Sequence, residues 1–203
     1  MIALIFATQQ EARPFLALSQ AEPCAAQPFQ RFRTPLRPGL QIVISRIGKV
    51  AASAACQAMI ATHGAQWIVN AGACGLLADS LGLSVGQLVR ITTAQEGDHE
   101  VFGKRPAPVP CDNQFGADLP PTRLVTCDRP VFDRHRRNAC SRLGDVVDME
   151  GAAIARVAML NQIPCDMIKG ISDIAGPTDR KTLLANLDWV SEVLGKWLWQ
   201  RLK

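Results

Sequence analysis

The chain has 203 residues, of which 48% are hydrophobic, and a formal net charge of +4 at pH 7. This length and apolar content predict a single domain over residues 1–203. The charge is small, its densest basic cluster is confined to 134–137, and the chain has no tyrosine, so we expect no nucleic-acid partner. No apolar run approaches the roughly 20 residues needed to cross a bilayer, which argues against a membrane span.

Seven cysteines are scattered along the chain without the paired spacing of a metal site or the framework of a disulfide-stabilised domain. Its three histidines show no ligand spacing either. The first residues, MIALIFATQQEARPF, lack the basic start of a secretory signal and fit a buried first strand. We therefore expect a cytoplasmic protein with reduced thiols and no bound metal.

Strand and helix patterns alternate along the chain, divided by turn residues. Strands are predicted at residues 2–7, 40–45, 67–70, 87–93, 146–149 and 165–171. Helices are predicted at about residues 9–19, 49–62, 151–162 and 182–202. This alternation predicts an α/β fold with three α/β/α layers around a central mixed, mostly parallel sheet.

Two segments break the regular alternation. The small-residue run AGACG at 71–75 predicts a turn directly after the strand at 67–70. The polar, proline-rich segment 95–122 predicts a long functional loop or a mobile flap.

Acidic residues stand at the ends of two apolar segments that one helix separates. Asp148 and Glu150 close the first segment, and Asp173 closes the second. In open parallel sheets, binding crevices form outside the carboxyl ends of the strands, so we expect Glu150 and Asp173 to share one crevice. Two carboxylates there indicate acid–base chemistry or the binding of sugar hydroxyls. For Asp148 we expect a structural hydrogen bond at the strand end.

Six motifs follow one another in a characteristic order. They are a first strand leading to Glu11, SRIGKVAA at 45–52, VNAGACGLL at 69–77, VGQLV at 85–89, VVDMEGAAIA at 146–155 and GISDIAG at 170–176. Together they resemble the family of purine nucleoside phosphorylases and nucleosidases, and most of all its methylthioadenosine/S-adenosylhomocysteine nucleosidase branch. The resemblance spans nearly the whole chain.

The resemblance implies a chemical role for each carboxylate. Cleavage of an N-glycosidic bond passes through an oxocarbenium-like sugar, so the leaving base gains a proton while a nucleophile reaches the anomeric carbon from the opposite face. By resemblance, Asp173 is the general acid that protonates purine N7, and Glu11 activates the attacking water. Glu150 corresponds to the residue that binds the ribose hydroxyls, and Met149 to the residue that packs on the sugar.

The same resemblance implies further contacts with the ligand. Ala73, Cys74 and Gly75 match a small-residue segment that lets backbone groups approach the ligand closely. Val131 and Phe132 stand where the family places its base-contacting segment. Proton transfer needs no cofactor, so none is expected.

The two halves of the family differ in the nucleophile, which is phosphate in the phosphorylases and water in the nucleosidases. Phosphorylases hold phosphate with a glycine-rich segment ending in arginine and with a second arginine. Here ATQQEARPF has no such glycine, and Glu11 would repel an anion, so hydrolysis is favoured. Arg46 stands where nucleosidases usually carry glycine, and it could contact an anion or the 5' group of the substrate. A phosphorylase and a non-catalytic nucleoside-binding protein therefore stay as alternatives.

The expected substrate is a 5'-substituted adenosine that releases adenine. The TCDRPV segment at 126–131 and VVDME at 146–150 also resemble nucleosidases of hopanoid synthesis, which act on adenosylhopane, and futalosine-type nucleosidases are another possibility. Homologues of this fold commonly form dimers, which predicts a homodimer in which Phe102, from the 95–122 segment, reaches the neighbouring site.

Overall fold

The computed structural model describes residues 1–77, 81–112, 114–176 and 179–203. Within these residues, strands and helices alternate. The strands are β1 (Ile2–Phe6), β2 (Glu22–Ala25), β3 (Gln30–Arg33), β4 (Leu40–Ile44), β5 (Trp67–Leu76), β6 (Leu88–Glu96), β7 (Val109–Pro110), β8 (Pro121–Thr126), β9 (Val146–Asp148) and β10 (Cys165–Ile174). The helices are α1 (Gln9–Leu18), α2 (Lys49–Ala61), α3 (Arg134–Ser141), α4 (Gly151–Leu160) and α5 (Arg180–Leu202).

The strands form one mixed sheet in the order β10-β6-β8-β9-β5-β1-β4-β3-β2, with β7 on β6. An additional pairing of β10 with β5 closes five of these strands into a ring. Most of the paired residues lie in parallel ladders, such as β1 with β4 and β5 with β10. The antiparallel ladders include β5 with β9 and β6 with β10.

Helices cover both faces of the sheet. Strand β1 is almost wholly buried, and successive side chains point to opposite faces. Ala3 and Ile5 pack into the cluster that contains residues of α2 and α4. Leu4 and Phe6 pack into the cluster that contains residues of α1 and α5. A sheet between two helical layers is the predicted α/β/α architecture.

The prediction of a turn at 71–75 is wrong. These residues continue β5 to Leu76, and they pair with β10 from Ile168↔Ala71 to Asp173↔Gly75. Small residues have weak strand propensity of their own, so the neighbouring strand decides the conformation. Strand β10 likewise continues past 171 and contains a bulge between Ile171 and Asp173.

The prediction that 95–122 is one long loop is also wrong in part. Strand β6 continues to Glu96, β7 occupies Val109–Pro110, and β8 begins at Pro121. A high proline content usually indicates a loop, but proline is tolerated at the first residue of a strand, as at Pro121 of β8. The prolines therefore made these strands look like a loop in the sequence. Residue 113 of this segment lies outside the described residues.

The basic cluster at 134–137 opens helix α3, which Asp133 caps by accepting from the Arg136 backbone N–H at 2.8 Å.

Candidate active site

A cavity of about 270 Å³ lies where β5, β9 and β10 end near one another. The structure brings nine of the ten predicted site residues to its wall, and these are Glu11, Ala73, Cys74, Gly75, Val131, Phe132, Met149, Glu150 and Asp173. The tenth, Arg46, is not among the lining residues.

Strand register explains how the acidic residues meet. The sequence predicts parallel strands here, but β9 runs antiparallel to β5 whereas β10 runs parallel to it. Gly75 pairs with Val147 on one side and with Asp173 on the other. The end of β9 and the end of β10 therefore meet at the same point of β5, although the strands run in opposite directions.

Glu11 is held by three donors on two elements. Its Oε2 accepts from the Thr8 backbone N–H at 2.9 Å and from Thr8 Oγ1 at 2.8 Å. Its Oε1 accepts from the backbone N–H of Ala73 at 2.9 Å. A carboxylate has about four lone-pair sites, so Oε1 still has one acceptor position for a water molecule. The buried Glu11 is thus both the capping-box residue of α1 and part of the cavity wall.

Glu150 is the N-cap residue of α4, yet its side chain makes no capping bond. Its Oε1 instead accepts from the Gly48 backbone N–H at 2.7 Å, and the side chain lines the cavity. Burial, with the nearby charge of Asp148, raises the pKa of Glu150 from its ordinary value to about 7. The carboxyl group can therefore change protonation state near neutral pH.

Asp148 has the structural hydrogen bonding that the sequence predicts for it. Its Oδ1 accepts from Thr126 Oγ1 at 2.6 Å, and its Oδ2 accepts from the Gly151 backbone N–H at 2.9 Å. Oδ2 also lies 2.8 Å from Nζ of Lys169, which is buried. Burial lowers the pKa of Lys169, but the charge of Asp148 more than offsets it, so the lysine stays protonated.

Sequence reasoning missed this buried lysine. The available signal was a single charged side chain, Lys169, inside the otherwise apolar part of β10. Such a residue is almost never buried without a partner. The pair with Asp148 places a fixed positive charge behind the carboxylates of the cavity.

Asp173 is also buried at the cavity wall. Burial raises the pKa of its carboxyl group, although Ser172 Oγ, which donates to Oδ1 at 2.8 Å, opposes the shift. A raised pKa favours the protonated form that a general acid needs. Gly75 leaves room beside it, since a Cβ there would lie 3.1 Å from Asp173 Oδ2.

Arg46 has an exposed side chain and a backbone φ of 73°. This left-handed region favours glycine, the residue that the family resemblance implies at this position. The arginine is therefore accommodated at a strained position outside the cavity wall, whereas the next residue, Ile47, lines the cavity. Phe102 is fully exposed and is likewise absent from the cavity wall.

The residues 1–77, 81–112, 114–176 and 179–203 show neither a metal-binding cluster nor a membrane-spanning helix. In those ranges, no group of three or more His, Cys, Asp or Glu is arranged to hold a metal ion. None of the described helices is long and apolar enough to cross a bilayer.

The chain is similar to known proteins over almost its full length. The 5'-methylthioadenosine/S-adenosylhomocysteine nucleosidase of Aeromonas salmonicida (strain A449) is 27% identical over 186 residues, covering 78% of this chain and 77% of that protein. The same-named nucleosidase of Helicobacter pylori, solved with butyl-thio-DADMe-Immucillin-A, superposes with a TM-score of 0.88 at 19% identity, covering 98% of this chain and 96% of that one.

A futalosine hydrolase mutant of Helicobacter pylori strain 26695 is equally similar in structure, with a TM-score of 0.87 at 19% identity, covering 97% of this chain and 96% of that one. These structures confirm the predicted α/β fold. The model of the phosphorylase superfamily matches residues 1–199. The family resemblance read from the motifs is therefore confirmed, and the chain belongs to the phosphorylase superfamily.

Proposed function

We propose that this protein is a nucleosidase that hydrolyses the N-glycosidic bond of a 5'-substituted adenosine and releases adenine. The observation that carries the proposal is the convergence of Glu11, Glu150 and Asp173 on one cavity. The nucleosidase activity named for the Aeromonas salmonicida relative supports it.

The three carboxylates divide the reaction between them. Asp173 donates its proton to the leaving purine as the N-glycosidic bond breaks, and the sugar gains oxocarbenium character. Glu11 accepts a proton from the water that attacks the anomeric carbon, using the free acceptor position of Oε1. Glu150 accepts hydrogen bonds from the ribose hydroxyls with the oxygen that Gly48 leaves unused.

Water is favoured over phosphate as the nucleophile. None of the described residues that line the cavity is arginine, lysine or histidine. Phosphate binding depends on cationic donors and is weakened by nearby carboxylates, so this cavity is poorly suited to bind the phosphate that a phosphorylase needs. The buried Lys169 lies outside the wall and is paired with Asp148.

The walls around the carboxylates favour an uncharged 5' substituent. Ile47, Phe132, Leu183 and Leu187 contribute apolar side chains to the cavity. A charged amino-acid group such as that of homocysteine would lose its hydration against these walls without a partner. We therefore propose that nucleosides with a methylthio or hopanoid 5' substituent are better substrates than S-adenosylhomocysteine. Futalosine-type nucleosides are a further candidate substrate class.

Release of free base from a panel of nucleosides tests the proposal. The panel contains methylthioadenosine, S-adenosylhomocysteine, adenosine, inosine and an adenosine with a long 5' alkyl chain, each with and without phosphate. We expect adenine from the apolar 5'-substituted adenosines in the absence of phosphate. Release that requires phosphate would establish the phosphorylase, and binding without release across the panel would establish the non-catalytic binding protein.

Gly72 offers a test of the Glu11 geometry. A Cβ at this position would lie 2.8 Å from Glu11 Oε1, closer than side chains tolerate. Gly72→Ala should therefore displace the carboxylate and lower kcat by about 100-fold, the scale of a misplacement of about 1 Å. Gly39→Ala is the matched control, because a Cβ there meets nothing within 4 Å. Equal rates for the two variants in steady-state kinetics would contradict the role of Glu11.

The raised pKa of Glu150, about 7, predicts a pH dependence of substrate binding. Above this pKa the carboxylate accepts from ribose hydroxyls, and below it protonation removes the charge, so KM should rise as pH falls through 7. Glu150→Gln should raise KM by about 10- to 100-fold, as for loss of a hydrogen bond to a charged group. It should also flatten the pH profile of KM. A profile in Glu150→Gln that matches the wild type would assign the titration to another group.

We also propose that the protein forms a homodimer. Ile47, which precedes α2, and Val50, in the first turn of α2, are 59% and 85% exposed, and Phe102 is fully exposed. Large apolar side chains left exposed to solvent in this way are typical of a protein interface. Light scattering should give twice the 22.0 kDa chain mass. A fully active monomer would refute the dimer and the role of Phe102 in a neighbouring site.

The cytoplasm is the compartment that we propose. All seven cysteines lie within the described residues and are free thiols, and only Cys24 is exposed. Free thiols are typical of the reducing cytosol. Cell fractionation checks this assignment, and recovery with a periplasmic or membrane marker would contradict it.

A further inference from the structure

Lys49 is the first residue of helix α2, where a cation is unfavourable. The N-terminal end of a helix carries the positive end of its dipole, so anions rather than cations are stabilised there. The side chain of Lys49 is nevertheless only 13% exposed. Neither the helix dipole nor hydration favours a lysine at this position, so the interactions that stabilise Lys49 must come from its neighbours.

Three carboxylates surround the Lys49 ammonium. Its Nζ lies 2.9 Å from Glu96 Oε2, 2.8 Å from Asp98 Oδ1 and 3.2 Å from Asp128 Oδ2. Burial lowers the pKa of Lys49, but the hydrogen bonds that its ammonium donates to these carboxylates more than offset this effect and raise the pKa above its usual range. The group is thus a permanent cation that neutralises part of a cluster of three anions.

These carboxylates come from two different parts of the chain. Glu96 and Asp98 lie at the end of β6, while Asp128 follows β8. A further hydrogen bond, from the Asp128 backbone N–H to Asp98 Oδ2 at 2.6 Å, joins the two parts. Without the ammonium, three like charges would be left close together and would repel one another.

The lysine also stands between two segments of the cavity wall. On one side, the adjacent Gly48 donates its backbone N–H to Glu150 Oε1 at 2.7 Å. On the other side, Asp128 begins the wall segment, residues 128–132, whose Val131 and Phe132 line the cavity. Lys49 therefore links two parts of the site. Its backbone follows Gly48, which binds Glu150, and its ammonium binds Asp128 of the wall segment.

We propose that Lys49 is a positioning residue that fixes the wall segment 128–132 relative to Glu150. This inference rests on the proposed function in one respect only, namely that the cavity is where the nucleoside reacts. Lys49 is not among the residues that line the cavity. It acts through Asp128 on the wall segment, and through the start of α2 on Gly48.

Hydrogen–deuterium exchange of the ligand-free protein tests the structural part of the proposal. Lys49→Met removes the cation. Asp128→Asn, at a side chain 61% exposed, removes only the ion pair between Lys49 and the wall segment, while Lys49 keeps Glu96 and Asp98 and the Asp128 backbone N–H keeps its bond to Asp98. Both variants should speed exchange in the wall segment by about tenfold or more. Lys196→Met is the matched control, because among the described residues Lys196 pairs only with Glu192, in an exposed i,i+4 contact. Unchanged exchange in both test variants would overturn the proposal.

Turnover then tests whether the positioning matters for the reaction. Lys49→Met should lower kcat/KM by about 10- to 100-fold, with Lys196→Met unchanged and Lys49→Arg restoring most of the loss. If Lys49 acts through the wall segment, its effect should shrink in a Phe132→Ala background, and additive effects would overturn the positioning role. Exchange needs no substrate, so a wild type that releases no base would refute the proposed function while the exchange result still decides the role of Lys49.

Discussion

Replacing Asp173 with asparagine is expected to lower the rate of base release by about 10²- to 10⁴-fold, the usual contribution of a general acid. Asparagine keeps the size of the side chain and an oxygen that can accept from Ser172 Oγ, but it cannot supply an acidic proton. Nucleoside binding, measured by calorimetry, should therefore change little while kcat collapses. This separation of binding from turnover is the signature of a proton donor.

Two further variants make the Asp173 experiment decisive. Asp118→Asn is the matched control, because Asp118 pairs with Arg201 on the surface and the substitution should leave turnover unchanged. Ser172→Ala removes the hydrogen bond that lowers the pKa of Asp173, so the alkaline limb of the activity profile, on which Asp173 loses its proton, should shift to higher pH. Wild-type turnover in Asp173→Asn would show that another group protonates the base.

Replacing Glu11 with alanine is expected to have an effect of similar size, about 10²- to 10⁴-fold on kcat. The substitution removes the group that accepts the proton of the attacking water. It also vacates the position between the Thr8 and Ala73 backbone N–H groups, which leaves space for a small anion. Azide needs no general base, so added azide should partly restore base release in this variant.

The control for Glu11 separates chemistry from helix capping. Thr8→Ala removes the Oγ1 donor and half of the capping box but leaves the carboxylate and its bond to Ala73. It should cost about 1 kcal/mol of stability, typical of a lost N-cap, and little of kcat. If Thr8→Ala slowed base release as much as Glu11→Ala, or if azide failed to restore release, the base role of Glu11 would be refuted.

The sequence contains a clear signal for the local structure around Glu11 but none for its long-range contact. Thr8 and Glu11 have the spacing of a capping box, which predicts the start of α1. The Ala73 backbone N–H occupies one acceptor position of Glu11 Oε1 and so decides which position is left for the attacking water. Ala73 reaches Glu11 because β5 pairs with β1 through Ile5↔Asn70 and so passes beside Glu11. Only the family resemblance linked these distant residues before the structure did.

Other errors of the sequence prediction share one physical cause. Ala71–Gly75 and the strands within 95–122 were misassigned because strand pairing overrides weak local propensity, and pairing partners are remote in sequence. The convergence of Glu150 and Asp173 was expected for parallel strands, whereas antiparallel β9 delivers Glu150. Lys49 and Lys169 were overlooked since a buried lysine is explained only by partners that the fold brings to it.

The most direct test of water as the nucleophile is a turnover experiment in water labelled with oxygen-18. The purified protein is incubated with methylthioadenosine, and the released sugar is analysed by mass spectrometry. Attack by water activated by Glu11 predicts one labelled oxygen in the free sugar, with no need for phosphate. A sugar 1-phosphate that forms only when phosphate is added, without the label, would contradict the hydrolase and make the protein a phosphorylase.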